Sequence, residues 1–160
     1  MKPLTEQEIR AAFVNTSKGE AKRLYVPRDL HKEPWEELDY LGWRDPRAPN
    51  RAALVFGDHA LILRVPSPGA ERMRRSMCSI CSTSPQGGVS LMVAPRAGKA
   101  GKRGDSIGSY ICNDFGCSLY IRGLLDPGPG GRLPETIPVE DKIERLVANL
   151  IGFVSRVTAP

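Results

Sequence analysis

The sequence predicts an α+β fold, an antiparallel sheet with an N-terminal helix and a long C-terminal helix packed on it. Three observations carry this reading. Thr5 followed by Glu8 forms a capping motif at the start of the chain. Near the end, Val139, Ile143, Leu146, Val147, Leu150, Val154 and Val157 repeat at helical spacing. Between them, short apolar runs bounded by glycine, proline and polar clusters read as strands. With 160 residues, 41% of them apolar, the chain can bury a core and is expected to form a single domain over 1–160.

The first helix has Leu4 before its cap and Ile9 at its fourth position, a hydrophobic staple, with Ile9, Ala12 and Phe13 on one face. It is expected to run to about Thr16, with a second short helix over 18–24 that stops before Pro27. Residues 27–50 read as irregular, punctuated by Pro27, Pro34, Pro46 and Pro49. Within them Trp35, Leu38 and Leu41 lie at near-helical spacing, either as anchors packed on a sheet or as a binding surface. Strands are expected over 51–56 and 60–65, joined by a turn at Gly57-Asp58-His59, and again over 89–94 and 106–112. Residues 95–105 read as a loop rich in glycine and cations, residues 118–125 as a helix, and residues 126–134 as a proline-glycine linker. The final helix opens with Pro138 in its first turn and contains Gly152, which costs about 1 kcal/mol relative to alanine.

The four cysteines fall into two pairs, Cys78-x2-Cys81 and Cys112-x4-Cys117. A C-x2-C knuckle lets two thiolates reach one tetrahedral ion with little backbone strain, and four soft thiolates suit zinc at about 2.3 Å. Such a shell leaves no position for water, so the site is structural and folding depends on metal. The order knuckle, strand, strand, ligand pair, helix is that of a treble-clef zinc finger, here over about 76–125. Cys112 ends a strand pattern and Cys117 opens a helical one, whose N-terminal dipole favours thiolate. The competing readings are an iron–sulfur cluster, a redox pair at Cys78 and Cys81, and free thiols; the redox pair leaves Cys112 and Cys117 without a role.

Other classes of function find little support. Residues 1–13 lack the apolar core of a secretory signal, and no stretch approaches the roughly 18 to 20 apolar residues of a membrane span, so a cytoplasmic location is expected. There is no phosphate-binding P-loop at Gly98-Lys99 or Gly101-Lys102, no H-E-x-x-H and no G-x-S-x-G. His31 and His59 sit in polar loops, and nothing marks Glu36, Glu37 or Asp39 as an acid–base pair. No catalytic residue is named, and neither enzyme activity nor a small-molecule substrate is expected. The formal charge of +5 favours acidic partners only mildly.

The stretch Leu38-Asp39-Tyr40-Leu41-Gly42-Trp43-Arg44-Asp45, the Cys78-Ser-Ile-Cys81 knuckle, and Gly108-Ser-Tyr110-Ile-Cys112-Asn-Asp114 with Cys117 resemble the FusB-type elongation factor G-binding proteins. The chain is similar to the C-terminal treble-clef zinc-finger (FBP) domain of that family from about residue 5 to 157. The resemblance implies a four-cysteine zinc finger with Cys78, Cys81, Cys112 and Cys117 as ligands of one structural zinc ion. It also implies binding to elongation factor G; members linked to fusidic-acid resistance help the factor leave a drug-stalled ribosome. Those resistance proteins carry a helical bundle before this domain, and no such bundle is expected within these 160 residues.

Two partner surfaces follow. For elongation factor G, Lys99, Lys102 and Arg103 supply charge on the 95–105 loop, and Tyr110 and Phe115 supply aromatic anchors beside the cysteines; the competing reading is a solvated loop with the aromatics packing the finger. The alternative is a ribosome- or RNA-binding zinc protein using Arg72, Arg74, Arg75 and the 99–103 loop, although only 6% of the residues are aromatic.

Overall fold

The structure, a computed structural model, describes residues 1–67 and 76–160. The basic stretch Arg72-Met73-Arg74-Arg75 lies outside the described residues.

Thr5 and Glu8 form the expected capping box and open α1 (Glu6–Ala12). The helix stops before Thr16 because Phe13 turns extended and pairs with Ala60, and Val14 N–H donates to the Ala60 carbonyl. Asn15 completes the junction: its amide oxygen accepts from Ile62 N–H at 2.8 Å, and its NH2 donates to the carbonyls of Ile62 and Pro95. A second capping box, Ser17 with Glu20, starts α2 (Lys18–Arg23).

Residues 27–50 are more ordered than the prolines suggested. Two 3-10 turns, Leu30–Lys32 and Trp35–Glu37, lead into strand β1 (Leu41–Asp45), which the sequence reading did not find. Leu41, Trp43 and Asp45 point inward and alternate with half-buried Gly42 and Arg44, the period-2 pattern of a strand. The near-helical spacing of Trp35, Leu38 and Leu41 therefore spans a turn and a strand start, and all three pack on the sheet. Both indoles are anchored, Trp35 to the Leu30 carbonyl and Trp43 to the Tyr25 carbonyl.

The remaining strands are β2 (Ala48–Phe56), β3 (His59–Arg64), β4 (Val89–Pro95) and β5 (Ser106–Cys112). They form a five-stranded antiparallel sheet in the order β1-β2-β3-β4-β5. Gly57, at φ +57°, makes the two-residue turn between β2 and β3 possible. The β4–β5 connection is not a loop throughout. It contains a one-turn helix, α3 (Gly98–Lys102), wrapped so tightly that a Cβ on Gly101 would lie 1.7 Å from the Arg96 carbonyl oxygen.

Helix α4 (Cys117–Ile121) begins at the last cysteine and is shorter than expected, ending at Arg122 before Gly123 at φ +70°. The stretch expected as a linker has no regular structure but is held along the knuckle. Ser84 N–H donates to the Gly131 carbonyl and Gln86 N–H to the Pro127 carbonyl, each at 2.8 Å, and Glu135 pairs with Arg145 at 2.6 Å. Helix α5 (Val139–Thr158) follows, with Pro138 at its N-cap. Its buried face is Leu146, Leu150, Phe153, Val154 and Val157, flanked by half-buried Ile143 and Val147. Val139 departs from the expected stripe and is exposed, whereas Phe153, absent from it, is fully buried.

The sheet thus has two apolar sides. One joins Leu54, Leu61, Leu63, Met92 and Ile111 to α5 and to the four cysteines. The other joins Val55, Ala60, Trp43 and Leu41 to Ile9 of α1 and to Trp35 and Leu38.

Candidate metal centre

Three segments bring four thiols together. The knuckle at Cys78–Cys81 is closed by Cys78 N–H to the Thr83 carbonyl and Ser82 N–H to the Cys78 carbonyl, with Ser82 at φ +60°. The end of β5 supplies Cys112 and the first turn of α4 supplies Cys117. All four are buried, and their sulfurs lie within 4.8 Å of one another. Cys78 and Cys117 approach to 3.6 Å, as do Cys81 and Cys112. A tetrahedron of sulfurs about 2.3 Å from zinc has edges of about 3.8 Å. The separations therefore suit four ligands of one ion and are far too long for disulfides, about 2.05 Å.

The groups around the sulfurs fit thiolates. Ile80 N–H points at Cys78 Sγ at 3.3 Å, and the Thr83 hydroxyl lies 2.8 Å from Cys81 Sγ and 3.8 Å from Cys112 Sγ. The Tyr40 hydroxyl is fully buried beside the Cys117 thiol, with Cys78 and Cys112 also near it, and no hydrogen bond of normal geometry satisfies it among the described residues. A buried hydroxyl without a partner is costly, and thiolates beside it give it an acceptor. Burial, then hydrogen bonding among the sulfurs, pushes the Cys117 thiol up, whereas hydrogen bonds from Cys112, Cys117 and Cys81 pull Cys78 down. The cluster cannot carry four negative charges unaided; a dication at its centre supplies the compensating charge. The residues present fit one structural zinc held by Cys78, Cys81, Cys112 and Cys117.

The finger is bound to the sheet by a second set of contacts. The 39–44 stretch and the 113–122 stretch run side by side in opposite directions. Asp39 accepts two hydrogen bonds from Arg122, at 2.6 and 3.0 Å, with side chains only 9% and 14% exposed. Asp39 N–H donates to Ser118 Oγ at 3.0 Å. Tyr40 faces Cys117, and Gly42 lies under the Phe115 ring, where a Cβ would sit 2.2 Å from Cδ1. Arg44 donates to the Asn113 carbonyl and to Asn113 Oδ1.

A family model for the FBP C-terminal treble-clef zinc-finger matches residues 8–157. The chain belongs to the FBP C-terminal treble-clef zinc-finger family. Among solved structures, the FBP chain is similar to that described as the structure of the fusidic acid resistance protein FusC, with a TM-score of 0.60 at 18% identity. The alignment covers 99% of this chain and 60% of the FusC chain. Comparison with curated proteins finds no match. Among the described residues, no helix is long and apolar enough to cross a membrane.

Within this FBP chain, the residues read as a partner surface divide. Lys99, Lys102 and Arg103 are exposed, on and just after α3. Tyr110 is 46% exposed and stands directly opposite Leu91, which is 39% exposed. Phe115 is different: it is 8% exposed, takes φ +56° and fills the space over Gly42, so it packs the finger and is not available as an anchor. Sequence reasoning missed Tyr40 and Thr83 as groups that serve the sulfurs. Thr83, two residues after Cys81, was within reach of a local rule; Tyr40 comes from a segment 77 residues before Cys117 in the chain and carried no such signal.

Proposed function

We propose that the chain is a non-catalytic binding protein whose partner is elongation factor G, and that binding promotes release of the factor from the ribosome. Family membership over residues 8–157 and the FusC-like fold support this reading. The observation that carries it to particular residues is the exposed Tyr110–Leu91 pair beside the metal knuckle. Ser79 N–H donates to the Tyr110 carbonyl at 2.8 Å, so the knuckle, with Met77 49% exposed, adjoins this pair. Three large apolar side chains on a rigid, metal-braced surface are suited to burial by a protein partner. Lys99, Lys102 and Arg103 at the tip of the β4–β5 hairpin add charge that speeds encounter with an acidic surface. Four thiolates fill the tetrahedral shell, so the centre offers a partner no open coordination position and acts through rigidity.

The test is calorimetric titration of the zinc-loaded protein with purified elongation factor G. A stoichiometric complex is expected. Tyr110→Ala is expected to weaken it by about tenfold or more, in line with an aromatic hot spot. Neutralising Lys99, Lys102 and Arg103 together should mainly slow association and flatten its salt dependence. No complex with the folded, zinc-loaded protein would sink this reading; a complex indifferent to Tyr110 would move the interface elsewhere.

A further inference from the structure

Arg51 and Arg64 sit where the helical layer over one side of the sheet ends. Along β2 and β3, Val55 and Ala60 are buried under that layer, Ala53 and half-buried Ile62 come next, and the arginines emerge exposed. Their register places them directly opposite each other, so both side chains leave the same face with Cβ atoms about 4.5–5.5 Å apart. Like charges in that position are destabilising, and the neighbour of Arg64 on β4 is Val93, which offers no counter-charge. Among the described residues neither guanidinium has an ion-pair or hydrogen-bond partner.

Beside them lies a groove of about 380 Å³. Its one carboxylate among the described residues, Glu20, does not pair with either arginine; it accepts from Thr16 Oγ1 at 2.7 Å and from the Ser17 cap. Asn15, also on the wall, commits its amide to β3 and Pro95. The Asn50 carboxamide is exposed on the same wall and has no partner among the described residues. Among the described residues, two guanidiniums without a partner and an unpaired amide thus border one concavity.

We propose that Arg51, Arg64 and Asn50 form a binding subsite for a phosphate monoester, of the kind a nucleotide carries. A single carboxylate has two oxygens and is satisfied by one guanidinium fork, whereas a phosphate monoester offers three terminal oxygens and a charge near −2, enough to bridge two forks. The groove lies at the small end of ligand-sized cavities, where a nucleotide fits and a bare phosphate leaves space. The subsite uses none of the residues assigned to elongation factor G, so it stands or falls separately.

The test is a titration followed residue by residue in two-dimensional NMR, with AMP in one arm and inorganic phosphate in the other. Saturable shifts are expected at Arg51, Arg64 and Asn50 at about pH 7.5, weakening several-fold at about pH 5, where the second phosphate proton is bound. The double variant Arg51→Gln, Arg64→Gln should bind at least tenfold more weakly. The same variant should melt no lower than the unaltered protein, because it loses a repulsive pair, and this separates loss of the subsite from loss of fold. Shifts with AMP at lower concentration than with phosphate support a nucleotide; shifts with inorganic phosphate alone would overturn the nucleotide and leave free phosphate as the ligand. Absence of saturable shifts up to about 10 mM of either probe, or unchanged binding by the double variant, would overturn the subsite.

Discussion

Gly42 and Phe115 show how closely the residues of this family's motif depend on one another. Phe115 holds a left-handed backbone, φ +56°, and its ring occupies the space that a side chain at residue 42 would need. Gly42→Ala should therefore cost about 2–3 kcal/mol through overpacking, read as a lower midpoint in chemical denaturation, with one zinc still bound. Retention of full stability would mean that the ring moves aside freely. The cysteines were legible in the sequence because thiols are few and their spacing has direct stereochemical meaning. Phe115 could be read either as an anchor or as packing for the finger, because residue type does not say which way a side chain points. Tyr110, five residues earlier and of similar chemistry, points the other way: it is 46% exposed against 8% for Phe115.

Among the elements, α5 was the most legible, since seven apolar residues at helical spacing fit an amphipathic helix and neither a strand nor a loop. Its one internal weakness was visible too. A Cβ on Gly152 would meet nothing within 4 Å, and the position is exposed. Gly152→Ala should stabilise the protein by about 0.5–1 kcal/mol, a rise of a few degrees in Tm, measured by thermal denaturation. No change would mean that the helix is already held rigid by its packing against the sheet. Strand β1 was hidden because only five residues of it exist, one is glycine, and prolines stand on either side. Helix α3 was hidden for a related reason: Gly98 and Gly101 read as loop residues, yet Gly101 is required for the turn to close on Arg96. The 126–134 stretch reads as a linker by composition, and only its hydrogen bonds to residues 84 and 86 reveal a brace for the knuckle.

On the scale of the whole molecule, the metal centre and the main core are one body. All four cysteines belong to the same buried cluster as Leu54, Met92, Ile111, Leu146 and Phe153. Removing zinc, or replacing Cys78 with Ser, should therefore abolish the tertiary near-UV signal of the whole chain together with metal binding. A Cys78→Ser protein that melts cooperatively at the original temperature would show that the sheet and α5 suffice alone. The fold class was readable because alternating and helical patterns report on which faces are buried. The way the 39–44 and 113–122 stretches lock together was not, because contacts between segments so far apart leave no local period. That lock turns the ion into a clock. The sulfurs are sealed behind Tyr40, the knuckle and α4, so a chromogenic chelator can take the metal only after the chain has opened. Release should become independent of chelator concentration once capture outruns reclosing, and the plateau rate then times the protein's own opening.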